Sequence, residues 1–187
     1  MENKIILGVT GASGSILAKR FLEFADAEIH LVISSNSDQV IEYETGKGSE
    51  SLKELADYVY KDQDVAAKIS SGSFIFKAMV IMPCSMNTLA KVSSGISDSL
   101  ITRAAAVALK ERRKLILVPR EMPLSQIALE NMIRITNAGG IIAPAMPAFY
   151  TKPENVMDMV DFIVGRVMDL CGLDNSLVKR WKAEERD

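Results

Sequence analysis

Lys4-Ile5-Ile6-Leu7-Gly8-Val9-Thr10-Gly11-Ala12-Ser13-Gly14-Ser15-Ile16 decides how the rest of the chain is read. Its apolar run, bounded by turn residues, has the composition of a strand buried on both faces of a parallel sheet. From Ile16 to Phe24 the apolar spacing turns helical. The glycines between them lack Cβ atoms and let the backbone approach a ligand closely. Ser13, Gly14 and Ser15 are expected where the helix begins, with unpaired N–H groups and the positive end of the helix dipole turned outward. Such an arrangement binds phosphate. A tight strand-to-helix turn without a ligand makes the same local demands.

The spacing of the glycines narrows the ligand. A dinucleotide fingerprint needs G-x-G-x-x-G and an acidic residue about 20 residues on, to hold the ribose hydroxyls. Here the pattern is Gly8-x-x-Gly11-x-x-Gly14, and the second strand, Glu28 to Ile33, ends in Ser34-Ser35-Asn36 with no carboxylate at its tip. Hydroxyls and an amide at that edge suit a phosphate better than an adenosine ribose. A mononucleotide such as FMN is favoured over NAD.

With 187 residues, 48% of them hydrophobic, the chain is expected to form one domain over 1–187 with a sizeable core and a C-terminal tail from about 172. A net charge of −2, from 22 basic and 24 acidic residues, provides no field that would draw it to nucleic acid or an anionic membrane. Cys84 and Cys171 are too few and too far apart for a disulfide framework or a zinc site, which fits a reducing cytoplasm. The run from Ile5 to Val9 is too short for a signal peptide, and no segment approaches the ~20 apolar residues of a membrane helix. His30, the single histidine, falls inside a predicted strand, which makes His-based catalysis or a His-rich metal site improbable.

Along the chain, strands alternate with helices. Helices are expected over Asp38–Thr45, from a Ser51-x-x-Glu54 capping box to about Asp57, and near Asp64–Ile69, with a short strand at Val59-Tyr60 between the last two. A hydroxyl-rich loop, Ser70-Ser71-Gly72-Ser73-Phe74, precedes a strand over Ala78–Met82 that Pro83 stops. Cys84-Ser85-Met86-Asn87-Thr88 then opens a helix to about Ser93, at the strand edge where parallel sheets bind ligands. Ser97-Asp98-Ser99 caps a helix running through Lys110 to Arg113. A strand over Leu115–Val118 ends in Pro119-Arg120-Glu121, and a helix over Pro123–Asn137 is closed by Gly139-Gly140. A short strand, Ile141–Ala143, and a rigid loop, Pro144 to Tyr150, lead to a last helix over Glu154–Leu170. Its buried stripe is expected at Val156, Val160, Ile163, Val167 and Leu170. The pattern predicts an α/β fold: a three-layer, doubly wound, mostly parallel sheet of Rossmann-like or flavodoxin-like type.

Arg103 and Lys110 are seven residues apart on one predicted helix, on the same face about 10.5 Å apart along the axis, a spacing that can grip a phosphate. Lys110, with Arg112, Arg113 and Lys114, also simply suits a helix carboxyl end, whereas Arg103 sits early in the helix where a cation is disfavoured. Arg120-Glu121 at a strand tip offers a planar fork for phosphate and a carboxylate for acid or base work. The same two residues as a surface ion pair would contribute under ~1 kcal/mol. Tyr150 can pack as an ordinary aromatic, and Arg166 can pair with Asp169.

On these residues the chain resembles the UbiX-type flavin prenyltransferases, part of a wider flavin-binding group that includes phosphopantothenoylcysteine decarboxylase. The matching segments run in the family's order over nearly the whole chain: Gly8–Gly14, Ser70–Phe74, Pro83–Thr88, Leu100–Ala105, Leu109–Arg113, Pro119–Leu124 and Pro147–Tyr150. The resemblance implies that Gly11, Ala12, Ser13, Ser34, Ser85, Met86, Asn87, Thr88 and Arg120 contact FMN. It implies that Arg103, Lys110, Arg120, Glu121, Tyr150 and Arg166 surround a dimethylallyl phosphate, some of them from a neighbouring subunit, with Trp181 near the prenyl group. It further implies a catalytic set of Glu121, Ser13, Lys110, Arg103 and Tyr150, with Glu121 and Ser13 moving protons. The implied reaction joins a dimethylallyl group to reduced FMN, at N5 and then C6, without a metal. The product serves a UbiD-type decarboxylase, and the assembly is a large homo-oligomer, a dodecamer by resemblance.

Residues 36 to 64 match the family poorly, and nothing is carried over from them. Relatives that decarboxylate a cysteine peptide use a histidine after the first strand, where this chain has Ser15-Ile16-Leu17. Two other readings stay open on the sequence: an FMN-dependent decarboxylase of aromatic acids, and a non-catalytic FMN carrier. The first lacks an obvious carboxylate-binding site; the second has no need of Arg103, Lys110, Glu121 and Tyr150 together.

Overall fold

Alternation along the first strand, β1 (Lys4–Val9), divides the interior into two layers. Ile5, Leu7 and Val9 enter one apolar cluster and Ile6 the other, as the two-residue period of a strand requires. The computed structural model describes residues 3–178.

Helix α1 (Ser15–Phe24) follows a turn in which Gly14 has φ 114°, a conformation side-chain-bearing residues rarely adopt. After it come β2 (Glu28–Ile33), α2 (Ser37–Thr45), the short α3 (Glu50–Lys53) and β3 (Tyr58–Lys61). The second half contains β4 (Ala78–Cys84), α4 (Met86–Ser93), α5 (Leu100–Lys110), β5 (Lys114–Pro119), α6 (Gln126–Asn137), β6 (Ile141–Ile142) and α7 (Val156–Cys171). The strands form one sheet in the order β3-β2-β1-β4-β5-β6, and every pairing is parallel. This is the expected doubly wound α/β fold. Because β2 and β4 flank β1, the chain leaves β1 towards both sides, and a crevice opens at the carboxyl ends of these strands.

Leu17 and Phe21 of α1 and Val160, Val164 and Val167 of α7 fill one layer. Leu89 of α4, Leu100, Ile101 and Ala104 of α5 and Ile135 of α6 fill the other. Phe21 is fully buried, so its truncation to Ala would cost about 3–5 kcal/mol. Gly8 brings β1 and α5 together: a Cβ there would lie 3.3 Å from Ile101 Cγ2. That close approach places the amino end of α5 on the crevice.

Several local expectations are corrected. Ser51-x-x-Glu54 forms no capping box, because the helix it was to open is the single turn Glu50–Lys53. The boxes that do form are Ser99 with Thr102 and Asn155 with Asp158. Residues 64–69 make turns and a 3₁₀ segment, Lys68–Ser70, in place of an α-helix. Pro83 does not end β4, since its carbonyl still accepts from Thr10 across the sheet. Helix α6 begins after the Ser125 cap, not at Pro123. On α7, Val156 is 69% exposed. It is the first residue of the helix and projects past the layer that buries Val160, Val164, Val167 and Met168.

Candidate flavin site

Thr10 sets the floor of the crevice. Its hydroxyl donates to the Pro83 carbonyl at 2.9 Å and accepts the Ser85 N–H at 2.8 Å, pinning the tip of β1 to the start of α4. Ser85 then caps α4, its hydroxyl accepting the Thr88 N–H at 3.3 Å. Ser37 ties the β2 side by donating to the Val9 carbonyl at 2.9 Å, with Ser34 2.7 Å away. Just past β3, Asp62 accepts the backbone N–H of Leu100 at its carbonyl at 2.7 Å and that of Ile101 at its carboxylate at 3.0 Å, which anchors the start of α5.

These pins enclose a hollow of about 330 Å³ lined by Thr10, Gly11, Ser34, Ser35, Asn36, Asp62, Ser85, Asn87, Thr88, Lys91, Ser99, Ile101 and Thr102. Its hydroxyls, its amides, the amino end of α4 and the Lys91 ammonium match what a phosphate ester and a polyol chain require, so the donor set fits FMN. A Cβ on Gly11 would lie 3.4 Å from the Asn36 carbonyl oxygen, so the loop closes tightly there. Across the first turn of α4 lies a second hollow of about 310 Å³, lined by Met86, Ala90, Glu121, Pro123, Ser125, Ile127, Ala128 and Asn131.

The amino end of α1 is not the open anion site that its sequence led us to expect. Glu44, in the last turn of α2, fills it: Oε1 accepts the Gly14 N–H at 2.9 Å, and Oε2 accepts the Ser15 N–H at 2.8 Å and the Ser15 hydroxyl at 2.6 Å. Burial alone would push the Glu44 carboxyl up, but hydrogen bonds from the Ser13 and Ser15 hydroxyls and the Ser15 and Gly14 N–H groups outweigh it and hold it below the usual carboxylate range.

Among the expected site residues, Gly11, Ser34, Ser85, Asn87 and Thr88 meet in the first hollow, and Met86 and Glu121 in the second. Ala12 is buried beneath the loop, and Ser13 is exposed beside Glu44. Arg120 is exposed just past β5, and Glu121 Oε1 accepts the Met122 N–H at 3.0 Å. Arg103, Lys110, Tyr150 and Arg166 line neither hollow. Arg103 is exposed one residue beyond Thr102. Lys110, at the far end of α5, pairs with Glu111 against Gly72. Arg113 fastens the Ser70–Phe74 loop at that same end, donating to the Gly72 carbonyl at 2.7 Å and the Phe74 carbonyl at 2.6 Å. The Tyr150 ring meets Phe162 edge-on, with centroids 6.0 Å apart. Arg166 donates to Asp169 at 2.9 Å. Trp181 lies outside the described residues. Cys84 is wholly buried at the end of β4, and burial pushes its thiol up, so it is no nucleophile at neutral pH.

Thr10, Glu44, Asp62 and Lys91 escaped the sequence reading. Glu44 left one trace: a carboxylate in the last turn of its own helix is disfavoured there by the dipole, the same argument that singled out Arg103. Among the described residues, no group of three or more His, Cys, Asp or Glu side chains is placed to hold a metal ion, and no helix is long and apolar enough to cross a membrane.

Comparison with known proteins agrees with this geometry. The Flavoprotein family model matches residues 1–168. The flavin prenyltransferase UbiX of Thermoplasma acidophilum is 55% identical over 179 residues, which cover 95% of this chain and 99% of that protein. The crystal structure of AnUbiX (PadA1) in complex with FMN and dimethylallyl pyrophosphate superposes with a TM-score of 0.94 at 45% identity, covering 97% of this chain and 98% of that one. A dodecameric FMN-dependent UbiX-like decarboxylase from Escherichia coli O157:H7 superposes with a TM-score of 0.91 at 47% identity, covering 95% and 98%.

Proposed function

The chain belongs to the flavoprotein family and, within it, to the UbiX-type flavin prenyltransferases, and from that membership we propose that it transfers a dimethylallyl group from a dimethylallyl phosphate to reduced FMN. The observation that carries the reading is the crevice itself: a hydroxyl-lined hollow that fits FMN, separated by one helical turn from a second hollow bearing Glu121. When bound, reduced FMN supplies N5 and C6 as the positions that accept the prenyl group.

Ser34, Ser85, Asn87 and Thr88 donate to the flavin's phosphate and ribityl chain, Gly11 and Ala12 let the backbone pass close to it, and Met86 packs beside it. Arg120 adds a cation at the strand tip. Departure of an allylic phosphate needs fixed positive charge where the leaving group gathers negative charge. Arg103, Lys110 and Arg166 supply it, with the Tyr150 hydroxyl as a further donor. Glu121 moves the proton released as the ring positions react, and Ser13, hydrogen-bonded to Glu44, serves as a second proton station. Trp181 shelters the prenyl group.

Arg103, Lys110, Tyr150 and Arg166 stand away from their own protomer's hollows, which supports a site completed by neighbouring copies of this chain. Met122, Ile127, Ile133, Met146 and Phe149, between 59% and 89% exposed, offer apolar surface for that contact. We place the protein in the cytoplasm as a homo-oligomer, dodecameric like its E. coli relative, delivering prenylated flavin to a UbiD-type decarboxylase. The test is direct. Purified protein, reduced FMN and dimethylallyl monophosphate or diphosphate are incubated with a chelator, and the flavin is weighed by mass spectrometry. A flavin heavier by one prenyl unit is expected. Unchanged flavin with both donors, or product only when magnesium is restored, would overturn the reading.

A further inference from the structure

The residues lining the first hollow include one ammonium, Lys91, and one carboxylate, Asp62. Asp62 is committed to the Ile101 N–H at 3.0 Å. Lys91 lies one helical turn beyond Asn87 and Thr88 on α4, so the three share a face. Its side chain is 31% exposed, and its ammonium is held by Asp98 at 2.7 Å. Asp98 is steadied in turn by the Thr102 hydroxyl at 3.4 Å, from the α5 end of the same hollow. A phosphate monoester is close to a dianion at neutral pH, and partly burying it among neutral donors is costly without a cation.

We propose that Lys91 is the cation that neutralises the flavin's phosphate in this chain, with Asp98 keeping its ammonium at the mouth of the hollow. Preference for FMN over unphosphorylated riboflavin then depends on this charge inside the hollow, apart from the Arg120 cation at the strand tip. The proposal rests on the flavin reading of the hollow and adds to it a residue that selects the phosphorylated cofactor.

Binding of FMN and of riboflavin is measured by fluorescence titration for the wild type and for the charge series Lys91→Arg, Lys91→Met and Lys91→Glu, each checked for thermal unfolding. The wild type is expected to prefer FMN. Lys91→Met should weaken FMN by about 10- to 100-fold, the worth of a charge-assisted hydrogen bond, and flatten its salt dependence while leaving riboflavin unchanged. Lys91→Glu should weaken FMN further, and Lys91→Arg should retain the preference. If Lys91→Met or Lys91→Glu keeps the wild-type ratio of the two affinities, or loses both flavins in equal proportion, Lys91 does not select the phosphate. If the wild type itself fails to prefer FMN, the flavin reading of the hollow falls, and this proposal with it.

Discussion

Glu44 holds Ser15 twice, taking its backbone N–H at 2.8 Å and its hydroxyl at 2.6 Å. The carboxylate comes from the end of α2 and sits at the start of α1, where the dipole of α1 favours a negative charge. An anion built into the chain therefore occupies the place where a bound phosphate was expected.

Glu44→Gln should destabilise the fold at neutral pH by about 0.3–1 kcal/mol, the surface worth of a charge at a helix terminus. Because hydrogen bonding lowers the folded-state carboxyl, its contribution is present above the ordinary glutamate range and is lost as pH falls through the lowered value. Urea unfolding of both proteins from pH 7 to pH 3.5 checks this. The gap between the two stabilities should narrow as the pH falls; a gap that stays constant would rule out the charge as its source.

His30 titrates in the opposite sense to a paired surface histidine. Its ring is fully buried, stacked on Tyr58 at 4.7 Å, with Nδ1 2.9 Å from the Tyr60 hydroxyl and Nε2 2.8 Å from Glu28 Oε1. Burial lowers its pKa, Glu28 pulls it back, and Lys68 and Lys4 push it further down. Below the ordinary histidine range the unfolded chain therefore binds the proton first, and stability falls with pH by up to about 1.4 kcal/mol per unit. Measured between pH 7.5 and pH 5, this slope should be present in the wild type and absent in His30→Phe. Equal slopes would place the titration elsewhere.

How far the sequence carries is clear from which residues found their place. The alternation of strands and helices, the layering and the hollow's Ser34, Ser85, Asn87 and Thr88 were legible because they follow local rules: apolar runs, caps and loops at strand ends. The strand order was not, because it depends on pairings between distant segments. Glu44 and Asp62 were not, because each acts on a partner from another element, and Lys91 was not, because its partner Asp98 lies across the loop that follows α4. Glu44 reaches 30 residues back to Gly14, and Asp62 reaches 39 residues forward to Ile101. Val156 misled for a related reason: helical periodicity gives a face but not the length over which a neighbouring layer covers it.

Thr10 is the joint on which the crevice depends. Thr10→Val keeps the shape but leaves the Ser85 N–H without its partner at a site only 2% exposed, while the Pro83 carbonyl keeps the backbone N–H of residue 10 at 3.2 Å. Leaving buried polar groups unsatisfied costs about 1–3 kcal/mol. The variant should lose that much in denaturant unfolding and should also bind FMN more weakly, because Ser85 is no longer held. Stability lost with FMN affinity intact would mean that α4 is positioned independently of Thr10.

Glu121 lines a hollow beside α4, whereas Lys110 lies at the far end of α5 beside Gly72. If both serve one reaction centre, two protomers must contribute. Glu121→Gln should retain FMN yet slow single-turnover prenylation by roughly 10²- to 10⁴-fold, the usual worth of a positioned acid or base. Lys110→Ala should instead weaken the prenyl phosphate and leave bound flavin undisturbed. Co-assembled in equal amounts, the two variants complement each other only if the residues come from different subunits. Random mixing around a closed oligomer then pairs an intact Glu121 with an intact Lys110 at roughly one site in four. Were both residues to act within one protomer, no site in the mixture would be whole, and activity would not rise above that of the two variants measured apart. Recovery of about a quarter of wild-type turnover is therefore the expected result, and a mixture no better than its components would return Lys110 to its own protomer or remove it from the reaction.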